Sequence, residues 1–451
     1  MSQIVQTVSD LARRKFLRRS AAVAAIRLIS LIAVFAMQVL LARLVGDNDE
    51  YGKYAWGQSL LYMVGTLAAM GVPVVASRFI TSLSAQGLEG NSSQVIRRSH
   101  VLLLYSAGAT VLVAAAVYLL SDVIPGENIF TGIAALALLF APVQSFGLLY
   151  QNLSQGRHWM IAAFLPLQVI RPLMIMLLAF LAWRVGDIQL DGSQLVILVG
   201  ISLMLTVLAS GSVYYFRHRK LLAHTGATTG HAPDFAADRI MGTAKPIFAT
   251  RLATQFIEYS NVLLVGFLAG PAAAGAYFAA ERLAMLARMP GRIFGQVAQP
   301  EFAAAFARED KPGLRWVVWR TTHMVFWPTA VGLAILATLA TPLLSIFGEG
   351  FEAGHMALVI LALNALLLSA FGPVNILMLM TGQQDVMPLV HWTTAIFHGI
   401  CLALLVPTYG AAGAAMTTLL STALSGAWLI LLVRRHLDIN PTVFTPTRPE
   451  H

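Results

Sequence analysis

Apolar residues run through this chain in long blocks, not at the spacing of an amphipathic helix or an alternating strand. The blocks cover roughly 21–45, 54–78, 99–120, 129–150, 160–182, 195–216, 246–268, 273–300, 322–347, 355–381, 386–407 and 411–433. Each is close to the about 20 residues that an α-helix needs to cross the hydrocarbon layer of a bilayer. Lipid offers no partner to a backbone N–H or C=O, so only helices or closed barrels cross it, and blocks of this length select helices. The pattern predicts an all-α polytopic membrane protein of about twelve transmembrane helices with both termini on one side. Residues 1–20 lead into a block too long for a signal-peptide core and lack a small-residue cleavage site, which predicts a retained first helix.

Composition strengthens this reading. The chain has 451 residues, 57% of them hydrophobic and 11% charged, where a soluble domain carries about a quarter charged. Lys and Arg then orient the helices. They gather at the N-terminus (Arg13, Arg14, Lys15, Arg18, Arg19), after block two (Arg78, Arg97, Arg98), after block four (Arg157), at 217–245, after block eight (Arg308, Lys311, Arg315, Arg320) and in the tail (Arg434, Arg435). The alternate loops carry mainly Asp and Glu. By the positive-inside rule the basic face is cytoplasmic, which predicts a bacterial inner-membrane protein with both termini inside. The net charge of +9 does not signal nucleic acid, because the basic residues sit in short loops without interleaved aromatics; it suits anionic lipid headgroups. The single cysteine, Cys401, lies inside a block and allows no intrachain disulfide or cysteine-based metal site. No phosphate-binding glycine loop of the G-x-x-x-x-G-K-[ST] type occurs, so the chain is predicted to move something across a membrane without cofactor, metal or nucleotide hydrolysis of its own, and not to be an enzyme.

The longest polar interruption falls in the middle. It divides the chain into an N-terminal six-helix lobe (1–216), a cytoplasmic linker (217–245) and a C-terminal six-helix lobe with a short tail (246–451). A repeat supports the division: Val39-Leu40-Leu41 through Gly52-x-Tyr54 aligns without a gap on Val262-Leu263-Leu264 through Gly275-x-Tyr277, 223 residues later. Both copies run in the same sense, as in transporters built from parallel repeats.

Several segments resemble the polysaccharide-exporter or O-antigen (Wzx-type) flippases of the multidrug/oligosaccharidyl-lipid/polysaccharide exporter superfamily. They are LLARLVGDNDEYGKYAWGQSL (40–60), GVPVVASRFI (71–80), NLSQGRHWM (152–160), TGQQDVMPLV (381–390) and LVPTYGAAGAAMTTLLSTALS (405–425). The resemblance implies two six-helix bundles forming a V, alternately open to either side. It implies as cargo a sugar chain on an undecaprenyl pyrophosphate carrier, and it brings in a polysaccharide polymerase and ligase as partners. Drug exporters of the superfamily generally carry a carboxylate in the membrane part of their first lobe; the first six blocks here hold no Asp or Glu. That departure leaves a small-molecule secondary exporter of the multidrug type as the second reading.

Ionisable residues at membrane depth cost at least about 2.5–3.5 kcal/mol each and mark function by default. The blocks contain Arg27, Arg171, Arg251, Glu258, Glu281, Arg282, Arg288 and Arg292. At 100° per residue Arg251, Gln255 and Glu258 share one helix face, as do Glu281, Arg288 and Arg292. Arg27 stands 224 positions before Arg251, within one residue of the repeat offset. Guanidinium forks grip phosphate oxygens and stay charged when buried, so Arg27, Arg171, Arg251, Arg288 and Arg292 are candidates for the carrier's pyrophosphate or for acidic sugars. Gln38 and Gln255 are candidates for hydrogen bonds to the glycan, and Glu258 and Glu281 for charge balance or a coupling ion. Several have a plainer alternative: Arg27 snorkels to headgroups, Arg292 ends its helix, Arg171 is purely structural, and Glu281 with Arg282 or Arg251 with Glu258 forms a structural pair. Pro290-Gly291, Pro328 and Gly372-Pro373 predict helix breaks, and His323, His391 and His398 predict hydrogen-bonded packing, with a proton relay as the alternative.

Overall fold

The computed structural model describes residues 25–119, 130–186, 190–225, 237–381 and 384–445; the basic N-terminus and the acidic loop residues Asp122, Glu127 and Asp187 lie outside them. In chain order the helices are α1 (Ala25–Val45), α2 (Asn48–Ala68), α3 (Val72–Ala85), α4 (Ser92–Leu119), α5 (Thr131–Gly156), α6 (Met160–Leu165), α7 (Arg171–Gly186), α8 (Gly192–Thr225), α9 (Ala237–Ala269), α10 (Pro271–Ala287), α11 (Met289–Ala307), α12 (Lys311–Thr338), α13 (Ala340–Leu344), α14 (His355–Ala370), α15 (Val374–Met380) and α16 (Met387–Leu437). No strand occurs among the described residues.

Nine of the described helices are long and apolar enough to cross a membrane, ten if α2 and α3, bent by 49°, form one span. Two features reconcile that figure with the twelve blocks. α10, with 17 residues, is too short to be counted alone, and α11 is too polar. The 51-residue α16 is two helices, because Gly410 leaves helical geometry (φ 54°, ψ −128°). Gly413 lies so close to Leu405 that a Cβ on it would stand 2.2 Å from the Leu405 carbonyl oxygen. His398 Nδ1 reaches Ser421 Oγ at 2.9 Å, where a straight helix would hold them about 34 Å apart. The chain therefore turns back on itself at Gly410.

Other boundaries move outward from the sequence expectation. α2 starts at Asn48 and takes Asp49 and Glu50 into its first turn, where negative charge suits the exposed N–H groups. It continues past a left-handed Gly71 (φ 73°) into α3, which places Arg78 in a helix and not in a loop. The expected linker 217–245 is mostly helix where it is described: α8 runs on to Thr225 and α9 begins at Ala237, leaving 226–236 outside the described residues. The ends of α8 and α9 contain few turn formers, and polar side chains on a helix leaving the bilayer cost it nothing.

The contacts divide the chain into two units, 1–45 with 57–251, and 46–56 with 252–451. In the N-terminal unit α3 packs on α4 and α5, and α5 on α8, around Val72, Ile80, Leu103, Leu153, Tyr214 and Ala244. Small residues let these backbones approach: a Cβ on Gly65 would touch the Ala141 carbonyl at 2.7 Å, and Ser145 Oγ donates to Gly65 O at 2.7 Å. Ile240 and Ala244 fill the same core, which is why the first half of α9 belongs to this unit.

In the C-terminal unit α12 and α16 pack on α14, and α11 on α12, around Phe302, Val318, Leu377, Met378 and Val433. The start of α2 belongs here because Tyr51 is buried among Tyr54, Phe278, Phe347 and Phe351, with ring centroids 5.3–6.5 Å away, and Trp56 Nε1 donates to Leu263 O at 3.0 Å. The repeat aligned in the sequence meets itself at this point. A Cβ on Gly52 would collide with Pro271 O at 1.8 Å, and one on Gly275 with Asn48 O at 2.8 Å; Asn48 and Pro271 are themselves repeat partners. The tail closes the unit from another side: Arg315 Nη2 donates to the Asp438 carbonyl at 2.9 Å, Val443 N to Ala370 O at 2.9 Å, and Thr322 Oγ1 to Pro441 O at 3.1 Å.

Candidate functional site

The N-terminal unit holds its buried polar groups against aromatic rings. Arg171 sits where the helix between Met160 and Gly186 is widened into a π-turn over Pro166–Ile170, a distortion that proline encourages by withholding an N–H. Its guanidinium lies 5.1 Å from the centroid of Tyr62 on α2, and its buried Nε has no hydrogen-bond partner. It stands about 17 Å along the helix from Met160, near the middle of a span, and cannot snorkel. Arg27 is exposed on α1 and lies 5.6 Å over Phe164. Gln38 is buried and its Nε2 donates to Gln58 Oε1 at 3.3 Å. The rings supply part of what water would give a cation while leaving the donor edges of the guanidinium available.

The C-terminal unit gathers opposite charges. Gln255, buried on α9, donates to Glu258 Oε2 at 3.3 Å. Glu258 lies within electrostatic reach of Glu281, Arg282 and Arg292. Glu281 and Arg282 are 3.7 Å apart, and Arg282 covers the ring of Phe278 at 4.1 Å. Tyr277, fully buried, meets Thr418 through its hydroxyl and feels Glu281, Arg288 and Arg282. Three guanidiniums stand against two carboxylates, so the cluster keeps a net positive charge.

Beside this cluster is a cavity of about 460 Å³, within the range of small-molecule sites, formed where two spans break. The first break is at Arg288, between α10 and α11 and just ahead of Pro290; the second is at Gly372-Pro373, between α14 and α15. Arg288, Arg292, Gln299, Thr321, Ser369 and Asn375 supply the polar lining. Arg288 Nε is buried without a hydrogen-bond partner. Two arginines beside hydroxyl and amide side chains make the wall an acceptor of anionic and hydroxylated groups.

The structure thus brings together Gln255, Glu258, Glu281 and Arg292, with Arg288 and Arg292 sharing the cavity wall. Arg27, Gln38 and Arg171 lie in the N-terminal unit, each with a partner on another helix, and Arg251, exposed on α9, is the last residue of that unit. The sequence marked Arg282 as a charge at membrane depth and a pair for Glu281 without giving it a site role, and it left out Tyr277, Gln58 and the cavity residues Gln299, Thr321 and Asn375. Tyr277 carried a signal, since it closes the repeated G-x-Y; the others look like ordinary polar residues of apolar segments.

A family model described as polysaccharide biosynthesis protein matches residues 16–306. No curated protein matches the chain. Its fold is similar to that of a multidrug-resistance MATE-family transporter of the MOP superfamily in an inward-facing conformation, with a TM-score of 0.70 at 13% identity over 90% of this chain and 98% of that one. It is similar also to the lipid II flippase MurJ in an inward closed conformation, with a TM-score of 0.69 at 14% identity over 92% of this chain and 87% of that one. A MOP-superfamily transporter from Pyrococcus furiosus, described by the reverse polarity of its binding pocket, follows with a TM-score of 0.59 at 14% identity over 91% and 95%. At such identities the likeness is one of fold.

Proposed function

This chain belongs to the polysaccharide biosynthesis protein family, and we propose on that premise that it is a flippase carrying a lipid-linked oligosaccharide, on undecaprenyl pyrophosphate, from the cytoplasmic to the periplasmic leaflet of a bacterial inner membrane by alternating access. The observation that carries the reading is the excess of arginine at membrane depth in both units, held on aromatic rings in one and around a cavity in the other. A cationic drug would meet repulsion there. A diphosphate is attracted, and bidentate guanidinium contacts recognise its geometry.

In this reading Arg27, Arg171 and Arg251 draw in the diphosphate, and Arg288 and Arg292 hold it or an acidic sugar. Gln38 and Gln255 meet sugar hydroxyls, while Glu258 and Glu281 balance charge or take a coupling ion. Both termini are cytoplasmic, and a polymerase and ligase acting at the opposite, periplasmic leaflet would receive the product. The MurJ structure, that of a lipid II flippase, supports the view that this fold accommodates a lipid-linked cargo. The test is a deletion strain in which surface glycan and leaflet-resolved lipid-linked intermediates are measured. Loss of the glycan with its precursor trapped inside supports the proposal; intact glycan with heightened sensitivity to small cations would replace it with drug export.

A further inference from the structure

The N-terminal unit has a second cavity, of about 480 Å³, which the transport reading does not use. It is a groove between α5 and α8, lined by Phe146, Tyr150, Met204, Leu208, Gly211 and Tyr215 among others. One end is aliphatic and open, with Met204 44% and Leu208 59% exposed. The other end is aromatic and hydroxylated: His100 of α4 meets Tyr150 Oη at 3.1 Å and Tyr215 Oη at 3.4 Å. Gly211 makes the groove possible, since a Cβ there would stand 2.9 Å from the Tyr150 ring. From Met204 to Tyr215 the groove runs about 16 Å, close to half of the about 30 Å hydrocarbon thickness.

Beyond the hydroxylated end, about one helical turn away, α4 carries Arg97 and Arg98 and α8 carries Arg219 and Lys220, all exposed. Glu89, in the short 3-10 turn just ahead of α4, is already ion-paired with Arg157. Along one line, then, the surface changes from aliphatic to aromatic hydroxyl to cationic. An amphiphile of one-leaflet length with a negatively charged head has the complementary order.

We propose that this groove is a specific site for an anionic glycerophospholipid of the adjacent leaflet, one acyl chain lying over Leu208 and Gly211 and the phosphate meeting the four basic residues. The length favours a single acyl chain over a polyprenyl chain, which would overrun the groove. The proposal depends on the chain spanning a membrane and is independent of what the protein transports.

The test uses the full chain in nanodiscs containing phosphatidylglycerol with a photoactivatable diazirine on its acyl chain, and maps the labelled peptides. Enriched labelling of 143–150 and 204–215 over the other lipid-facing helices is expected. Met204→Trp or Leu208→Trp, each tested separately because either could disturb folding, should remove that labelling and spare the rest. Neutralising Arg97, Arg98, Arg219 and Lys220 to Gln should reduce the preference for phosphatidylglycerol over phosphatidylcholine at least about tenfold. Uniform labelling of every lipid-facing helix, or labelling unchanged when the groove is filled, overturns the site. Displacement of the label by polyprenyl phosphate and not by phosphatidylglycerol overturns the occupant.

Discussion

Gln38 and Gln58 show how a polar residue is kept inside an apolar helix pair. Both are buried and share a hydrogen bond, so replacing one removes that bond from the amide of the other. Gln38→Leu is expected to lower stability by about 1–3 kcal/mol, and Gln38→Leu with Gln58→Leu by less than the two single changes together. Thermal unfolding of the four variants in one detergent checks this; strictly additive losses would contradict it. Arg171 follows a related logic. Its Tyr62 contact contributes about 0.5–2 kcal/mol, so Tyr62→Leu should destabilise modestly while Tyr62→Phe does not. Such arginines were legible in the sequence because a charge in an apolar block has few innocent explanations. Their partners were not: Tyr62, Phe164 and Phe278 are aromatic residues among many, and nothing local marks the ring that a distant guanidinium will cover.

At the scale of elements, proline and glycine account for most of what was foreseen. Pro290 and Gly372-Pro373 stand beside the breaks at Arg288 and after Ala370, and Gly410 falls where two apolar blocks were separated, whereas α12 runs unbroken through Pro328, where a break was expected. What local pattern could not supply was the reach of helices beyond the hydrocarbon layer, since α8 and α9 continue through polar residues that a hydropathy reading assigns to a linker. Nor could it show that the tail is structured. Residues 438–443 are tied to Arg315, Ala370 and Thr322, and the Pro441 carbonyl packs on Gly372, which also borders the cavity. Truncation after Leu437 is therefore expected to lower the melting temperature by several degrees and to raise hydrogen exchange in α14 and α15. An unchanged exchange pattern would make the tail a passenger. Gly372→Ala should reproduce part of the effect, because its φ of +75° and the tail both exclude a Cβ.

For the molecule as a whole, the excess of positive charge at membrane depth predicts what neutralisation does. Arg27→Gln with Arg171→Gln should abolish glycan export while membrane levels stay near normal, and Arg288→Gln with Arg292→Gln should do the same through the other unit. Surface glycan and immunoblots of the membrane fraction read both quantities, and retained export in either pair removes those residues from the site. The family and the membrane-spanning character were recoverable from the sequence because they are written in long apolar blocks and ordered loop motifs. The cavity was not, because its wall is assembled from α11, α12, α14 and α15, far apart in the chain.

The Gly52 and Gly275 crossing has one more consequence. Gly52 faces Pro271 while Gly275 faces Asn48, so each position is answered by the counterpart of its own neighbour 223 residues away. That is an isologous contact, the kind by which two identical subunits pair about a two-fold axis, here contained in a single polypeptide. A half-length protein carrying one copy of the segment already holds both sides of such a contact and could dimerise through it, with gene fusion adding only the covalent link. After fusion the two glycines are free to mutate separately, yet each still faces backbone that leaves no room for a methyl group, so selection on one is bound to selection on the other.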